Sequence, residues 1–397
     1  MEKTANLPEL KLKAREERRI AHGHCWVFSN ELEPFDRKAE PGGLCRVMSA
    51  EGRDMGTGYF NPHSLIAVRL LTAPGVELED NFIQARLRAA YDYRSDMGYR
   101  KFCRVCYGEA DCLPGLIVDR YGDYLAVNIQ SAGMELHKPE ITAALKKIFK
   151  PAGLHFNNES PFRELEGLST LPAAPEGEFP ETAVVEQGDV AYEVPLMSGQ
   201  KSGFYYDQRD NRDALAPYFE GRVVLDLYSY AGGFGIKAAK CGAEKVFGID
   251  SSAQAVEFAS KNAERNGVAD RAVFHREDAE RALSALKKGE LPEMPDFVVL
   301  DPPNLVKGRK NFPQARQHYI MLNAAAFTGL PEDGLLATFT CSHHVSREAF
   351  MDIINVAAAR SGRRATLLWT GMQAKDHPVR VGVPETAYLN GALLRVH

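Results

Sequence analysis

Short apolar runs alternate with segments of helical spacing in the second half of the chain. Residues 223–225 form a buried run that Asp226 closes, a helix follows a glycine turn, and residues 245–249 form the next strand before Asp250. Further strands are predicted at residues 271–277, 296–300, 334–341, 363–370 and 386–396, with helices at about 313–329 and 346–359. Because strands and helices alternate throughout, this region is predicted to form a mostly parallel sheet.

The first half of the chain has a different pattern of apolar and turn-forming residues. Residues 1–75 contain short alternating strands separated by Gly, Pro and Asn turns, which predicts a small sheet or barrel. Residues 76–185 mix helical spacing with strands and end in the Pro/Gly/Glu-rich stretch 168–182. Since 397 residues exceed one ordinary core, we predict three domains, a β-rich domain (1–75), a central α/β domain (76–185) and a Rossmann-like domain (186–397).

Composition and net charge add little to the predicted fold. No apolar run is long enough to span a membrane, and the N-terminus lacks an apolar signal region, so a cytoplasmic protein without membrane contact is expected. The net charge of −5 does not decide for or against nucleic acid, because binding depends on local patches. A basic run is interleaved with Glu16 and Glu17, and on charge alone it is interpreted as a solvated helix face. The run consists of Lys11, Lys13, Arg15, Arg18 and Arg19.

The seven cysteines are scattered and odd in number, which suits a reducing compartment. Cys103 and Cys106 have the C-x-x-C spacing of many metal sites, and Cys112 follows. A fourth ligand is missing, and the segment has the pattern of a strand, in which positions three apart point to opposite faces. No metal site is therefore predicted.

Four acids follow four predicted parallel strands. The carboxyl ends of such strands meet at one edge, so these acids are expected to surround one crevice. They are Asp226, Asp250, Asp278 and Asp301. An acidic rim repels a pyrophosphate and favours the sulfonium and ammonium groups of S-adenosylmethionine. Helix capping is the alternative explanation for one or two of these acids.

The turn after the first of these strands contains Gly232 and Gly233, which let the backbone bend sharply and approach a ligand. Its letters, AGGFG, lack the G-x-G-x-x-G spacing of dinucleotide sites. Asp250 lies about twenty residues beyond the turn, where an acid can bond a ribose diol. Tyr228, Ser251 and Gln208 complete the predicted cofactor contacts.

Cys341 ends the strand after the one that Asp301 follows, so its side chain is expected to face the same crevice. A buried structural cysteine is the ordinary alternative. However, methylation of a pyrimidine carbon requires a nucleophile that adds to C6, and a thiolate suits this purpose. Asp301 opens a DPP motif and is placed to share a proton with a ring nitrogen.

These motifs together resemble the bacterial and archaeal family of 23S ribosomal RNA 5-methylcytosine methyltransferases that carry an N-terminal PUA domain. The resemblance covers nearly the whole chain. It rests on HGHCWVFSNEL, GEADCLPGLIVDRYGDYLAVNIQSAG, KSGFYYDQRDNR, LDLYSYAGGFG, DPPNL, TFTCS and DHPVRVGVPETAYLNG. It implies a PUA fold for the first domain, a class I methyltransferase fold for the last, RNA as the partner, Cys341 as the nucleophile, and the four acids around S-adenosylmethionine.

The chain departs from the family pattern at several positions. Cys25 replaces a proline, Leu305 replaces an aromatic residue that would stack on the target base, and His343 and His344 follow the nucleophile. We interpret the two histidines as facing water rather than RNA. Two alternatives stay open: a guanine methyltransferase, which needs no cysteine, and a PUA-bearing RNA-binding protein without catalysis.

Overall fold

The computed structural model describes residues 7–197, 203–306 and 308–397, and the chain divides into two compact units. The first unit contains the described residues up to Glu181 together with Lys375–Thr386. The second contains Thr182–Met197, the described residues from 203 to Ala374, and Ala387–His397. The boundaries between the three predicted domains stay a prediction.

The first unit begins with a five-stranded sheet. Its elements are β1 (Glu9–Lys11), α1 (Arg18–Ala21), β2 (Trp26–Phe28), β3 (Gly43–Met48), β4 (Asp54–Phe60) and β5 (Ile66–Leu70), with strand order β1-β3-β4-β5-β2. Val27, Val47 and Val68 lie in its core with no exposed surface. The prediction that the basic run forms one helix face is wrong, because Lys11 pairs with Met48 in a strand and the helix begins only at Arg18.

A second five-stranded sheet follows in the same unit, with strand order β10-β9-β8-β7-β6. Its elements are α2 (Phe82–Asp96), β6 (Phe102–Tyr107), β7 (Leu116–Tyr121), β8 (Tyr124–Ile129), α3 (Ala132–Leu136), α4 (Lys138–Phe149), β9 (Gly153–Phe156), α5 (Pro161–Leu165) and β10 (Glu176–Gly177). Strands β8 and β9 are parallel and the other neighbours antiparallel.

Strand β6 carries the C-x-x-C segment and contains an irregularity. The pairing register with β7 shifts between Arg104 and Cys106, and Cys103, Val105 and Cys106 are all fully buried in one apolar core. The prediction that the two cysteines point to opposite faces is therefore wrong, because the extra residue of a bulge reverses the alternation. The thiols of Cys103 and Cys106 donate to the carbonyls of Tyr99 and Leu116, at 3.6 and 3.4 Å.

The second unit contains a hairpin and the main sheet. Its elements are β11 (Thr182–Gln187), β12 (Val190–Pro195), α6 (Arg209–Leu215), β13 (Val223–Leu227), α7 (Gly233–Lys240), β14 (Lys245–Asp250), α8 (Ala253–Arg265), β15 (Ala272–Arg276), α9 (Ala279–Lys288), β16 (Phe297–Leu300), α10 (Phe312–Gly329), β17 (Leu335–Cys341), α11 (Arg347–Arg360), β18 (Ala365–Met372) and β19 (Leu389–Val396). The seven-stranded sheet has the order β15-β14-β13-β16-β17-β19-β18.

Five neighbouring strands of this sheet are parallel, and β19 lies antiparallel between β17 and β18. The central strands are largely buried; all four residues of β16, for example, have no exposed surface. Burial on both faces explains their continuous apolar runs, because helices cover a parallel sheet from both sides. The predicted α/β class and mostly parallel sheet are confirmed. Within the described residues, no helix is long and apolar enough to cross a membrane.

Candidate active site

Four adjacent strands of the main sheet bring candidate residues to one edge. Asp226 lies near the end of β13, Asp250 ends β14, Asp301 follows β16, and Cys341 ends β17. The register places Asp250 and Asp301 at one level, with Asp226 two residues before it and Cys341 two residues after it, since Leu227 pairs with Ile249 and Leu300, and Leu300 pairs with Thr338. Ligands of open α/β sheets bind at this edge, outside the carboxyl ends of the strands.

The glycine turn leaves no room for side chains. Gly232 has φ +82° and precedes α7, and a β carbon there would lie 2.7 Å from Ile236 Cδ1. Gly235 N–H donates to Asp226 Oδ2 at 2.8 Å, and a β carbon on Gly235 would lie 3.0 Å from the same oxygen. Gly233 is the first residue of α7. The backbone therefore passes close to the carboxylate of the first strand.

The loop before this turn contains two tyrosines in the left-handed region. Tyr228 has φ 62° and Tyr230 has φ 47°. This backbone conformation costs about 1–2 kcal/mol for a residue other than glycine, and residues that adopt it are concentrated at functional sites. Tyr230 N–H donates to Asp250 Oδ2 at 2.9 Å, and Ser252 N–H donates to Asp250 Oδ1 at 2.9 Å, with Ser251 exposed between them. Asp250 therefore fixes the loop that leads into the glycine turn.

Burial makes two of the carboxyl groups weak acids. Burial raises the pKa of Asp226 to about 7, although the Gly235 N–H opposes this change. Burial also raises the pKa of Asp301 to about 8, helped by the negative charge of Asp207 and opposed by a hydrogen bond from Gln208. Near neutral pH, Asp301 is therefore a proton donor.

The other two predicted cofactor residues have local partners. Asp278 is exposed and caps α9, since its side chain accepts from the N–H groups of Glu280 and Arg281 at 2.9 and 3.1 Å. Gln208 is buried, and its Oε1 accepts a hydrogen bond from Asn211 at 2.6 Å. Helix capping alone accounts for the position of Asp278, whereas Gln208 adjoins Asp301. Cofactor contact by either residue stays a prediction.

Cys341 is half-buried, and its Sγ lies 3.8 Å from the carbonyl oxygen of Pro302. The thiol thus adjoins the residue that follows Asp301. The Tyr319 hydroxyl lies 3.0 Å from Oγ1 of Thr340, the residue before Cys341. Burial raises the pKa of Tyr319 to about 12. The structure therefore brings together the two residues that the sequence assigned to catalysis.

Several residues of this site were not predicted from the sequence. Tyr205 is 46% exposed, and its ring stands edge-on to Tyr230 at 5.2 Å. Arg212 is fully buried, donates to Gln187 Oε1 at 3.0 Å, and lies 4.6 Å from the Phe204 ring. A usable signal existed, because most of these residues belong to the KSGFYYDQRDNR motif. Residues 201 and 202 of that motif lie outside the described residues.

Two departures from the family pattern have structural contexts. Leu305 is partly buried and packs against the main core. His343 is exposed, yet its ring lies 5.3 Å from the Tyr388 ring. The interpretation of the two histidines as facing water rather than RNA stays a prediction.

Comparisons with known proteins agree with this architecture. Residues 10–73 match the model of a PUA-like domain, and residues 211–328 match that of Conserved hypothetical protein 95. A candidate SAM-dependent methyltransferase from Streptococcus mutans shares the fold, with a TM-score of 0.81 at 20% identity, over 98% of this chain and 100% of that one. A candidate methyltransferase complexed with SAH gives a TM-score of 0.82 at 20% identity and the same coverage. The fold is therefore that of a class I methyltransferase with a PUA-like domain.

Sequence relatives narrow this class to one family. Ribosomal RNA large subunit methyltransferase I of Aeromonas salmonicida is 34% identical over 96% of this chain and 97% of its own length. The protein of the same name from Escherichia coli O139:H28 is 31% identical, again over 96% and 97%. The chain belongs to the ribosomal RNA large subunit methyltransferase I family.

Proposed function

We propose that this protein methylates C5 of a cytosine in large-subunit ribosomal RNA, with Cys341 as the nucleophile and Asp301 as a proton donor. Methylation of ribosomal RNA follows from the family, whereas the cytosine and the cysteine adduct are our inference. The observation that carries the inference is the position of Cys341 Sγ, 3.8 Å from the carbonyl of Pro302 and thus beside Asp301. A methyltransferase acting on a ring nitrogen needs no thiol there.

The predicted cofactor, S-adenosylmethionine, is confirmed by the family and by the SAH complex of the structural neighbour. The residues present fit it: the turn at Gly232 and Gly233 lies beside Asp226, a buried carboxylate whose ionisation a cation favours. When bound, this cofactor supplies an electrophilic methyl group. Asp250 is the proposed partner of the ribose hydroxyls.

The protein side chains account for activation of the base. Cytosine C5 becomes nucleophilic only after addition to C6, which the Cys341 thiolate performs. Asp301, with its pKa of about 8, holds a proton at neutral pH and gives it to the ring nitrogen as negative charge develops there. The base must leave its stack to reach the thiol. Leu305 packs against the core. The half-exposed ring of Tyr205 instead offers an apolar surface on which the base can stack.

The test combines a variant with a trapping substrate. Cys341→Ala should abolish turnover while S-adenosylmethionine affinity, measured by calorimetry, stays nearly unchanged. RNA carrying 5-fluorocytosine at the target should form a covalent adduct with the wild-type protein, because fluorine cannot leave as a proton does. The adduct should survive denaturing electrophoresis and be absent in Cys341→Ala. The matched control is Cys241→Ala, which changes another half-buried thiol of the same unit.

Near-normal methylation by Cys341→Ala would refute the proposed nucleophile and favour the guanine-methylating alternative. RNA binding without any methyl transfer would favour the non-catalytic alternative.

RNA is the proposed partner of the PUA-like domain at residues 10–73. A cytoplasmic location stays a prediction.

A further inference from the structure

The proposed reaction leaves one step without a protein group. After methyl transfer, C5 carries both the new methyl group and its original hydrogen, and release requires a base for that hydrogen. Asp301 has by then given its proton to the ring nitrogen and must take that proton back when the base is released, and burial raises the pKa of the Tyr205 hydroxyl and of the Tyr319 hydroxyl. Another acceptor is therefore needed beside Cys341.

Asp207 lies in a short 3₁₀ turn, Tyr206–Gln208, immediately before the residue that bonds Asp301. Its backbone carbonyl accepts a hydrogen bond from Ala374 N–H at 2.8 Å. Its Oδ2 accepts a hydrogen bond from the Tyr388 hydroxyl at 2.6 Å. Backbone and side chain are thus both fixed.

Tyr388 connects this carboxylate to the nucleophile. It directly precedes Leu389, which is the residue paired with Cys341 between β17 and β19. Its ring also contacts His343, two residues after the nucleophile. The hydrogen bond from the Tyr388 hydroxyl therefore connects Asp207 to the segment that pairs with the end of β17, where Cys341 lies.

The second oxygen of this carboxylate is unused. Asp207 Oδ1 is inaccessible to solvent and has no hydrogen-bond partner among residues 7–197, 203–306 and 308–397. An unsatisfied buried oxygen costs about 1–3 kcal/mol or more for a charged group, so its retention calls for a reason. The negative charge of Asp207 also acts on Asp301, raising the pKa of that acid. Two carboxyl groups close enough to interact in this way are the usual pattern of an acid and base pair.

We infer that the Asp207 carboxylate accepts the C5 proton in the last step of the proposed reaction, on which this assignment rests. The C5–H bond breaks, and its electron pair forms the C5–C6 double bond. The bond between C6 and sulfur breaks, and its electrons return to Cys341 as a thiolate. The C5 proton passes to Asp207, and the ring nitrogen returns its proton to Asp301, so Cys341 is again a thiolate and Asp301 is again protonated.

The test uses Asp207→Asn in the full chain, which keeps the oxygen that Tyr388 bonds but removes the basic site. With ordinary RNA and radiolabelled cofactor, this variant should accumulate a covalent RNA–protein adduct carrying the labelled methyl group. Product release in a single turnover should slow by about 10²-fold or more. Adduct formation with 5-fluorocytosine RNA should stay near the wild-type rate, since that reaction stops before proton removal.

Two further variants distinguish chemistry from structure. Tyr388→Phe deletes the hydroxyl that orients Asp207, so it should also accumulate the adduct, to a lesser extent. Asp213→Asn makes the same change in α6 at a half-exposed residue paired with Lys237, and it should release product at the wild-type rate.

The assignment is overturned if Asp207→Asn releases product as fast as wild type. It is also overturned if this variant loses adduct formation with 5-fluorocytosine RNA, because the carboxylate would then act before methyl transfer. Either result leaves the proposed function standing, provided that the wild-type protein forms the 5-fluorocytosine adduct. Absence of that wild-type adduct would refute the proposed function and this assignment together.

Discussion

Asp226→Asn should stabilise the free protein, and by an amount that depends on pH. The pKa of Asp226 rises from 3.8 to about 7 on folding. Below pH 3.8 both states are protonated and the raised pKa costs nothing. As pH rises towards 7, the unfolded state ionises while the native state stays protonated, so wild-type stability falls by about 1.4 kcal/mol per pH unit. Above pH 7 the loss is constant, at about 4 kcal/mol.

The variant has no such loss, because asparagine stays neutral and its oxygen still accepts from Gly235 N–H. Urea denaturation, followed by circular dichroism from pH 5 to pH 9, should show a growing advantage up to about pH 7 and a constant one above it. Leu225→Ala is the control. It truncates a buried neighbour in the same strand and should cost about 2–5 kcal/mol at every pH. A pH-independent difference between Asp226→Asn and wild type would refute the reasoning.

Three other changes test the remaining assignments. Asp250→Ala should weaken S-adenosylmethionine binding by about 1–3 kcal/mol in calorimetry; unchanged affinity would exclude the proposed ribose contact. Gly232→Ala should lower stability by about 1–2 kcal/mol, because alanine strains φ +82°, and a thermal melt equal to wild type would contradict that strain. Cys103→Ser with Cys106→Ser should leave methylation and metal content unchanged while lowering stability, whereas stoichiometric zinc lost in this double variant would reveal a metal site.

The sequence predicted the main sheet and its functional edge well because both depend on local patterns. Apolar runs such as residues 297–300 are continuous, since helices bury the strand from both sides, and an acid marks the end of each run. The glycine turn is equally local, because its spacing reports where side chains have no room. These features need no knowledge of distant contacts.

The wrong predictions concern features that depend on tertiary pairing. The basic run contains charges at roughly helical spacing, but Lys11 lies in a strand because it pairs with Met48 of β3. The faces of Cys103 and Cys106 depend on a bulge that only pairing with β7 creates. Asp207 was missed because its partner, Tyr388, lies far along the chain. Local composition carries no signal for any of these contacts.

The acids at the sheet edge are chemically unequal, and the causes are burial first and then their hydrogen-bond donors. Asp250 accepts from two backbone N–H groups, whereas Asp226 accepts from one and is more deeply buried. Burial and then the negative charge of Asp207 raise the pKa of Asp301, and the hydrogen bond from the Gln208 amide only partly offsets them. One crevice therefore combines an oriented carboxylate, a carboxyl group that a cation would ionise, and an acid that keeps its proton at neutral pH. Strand order brings these groups together, but only their donors and burial determine what each one does.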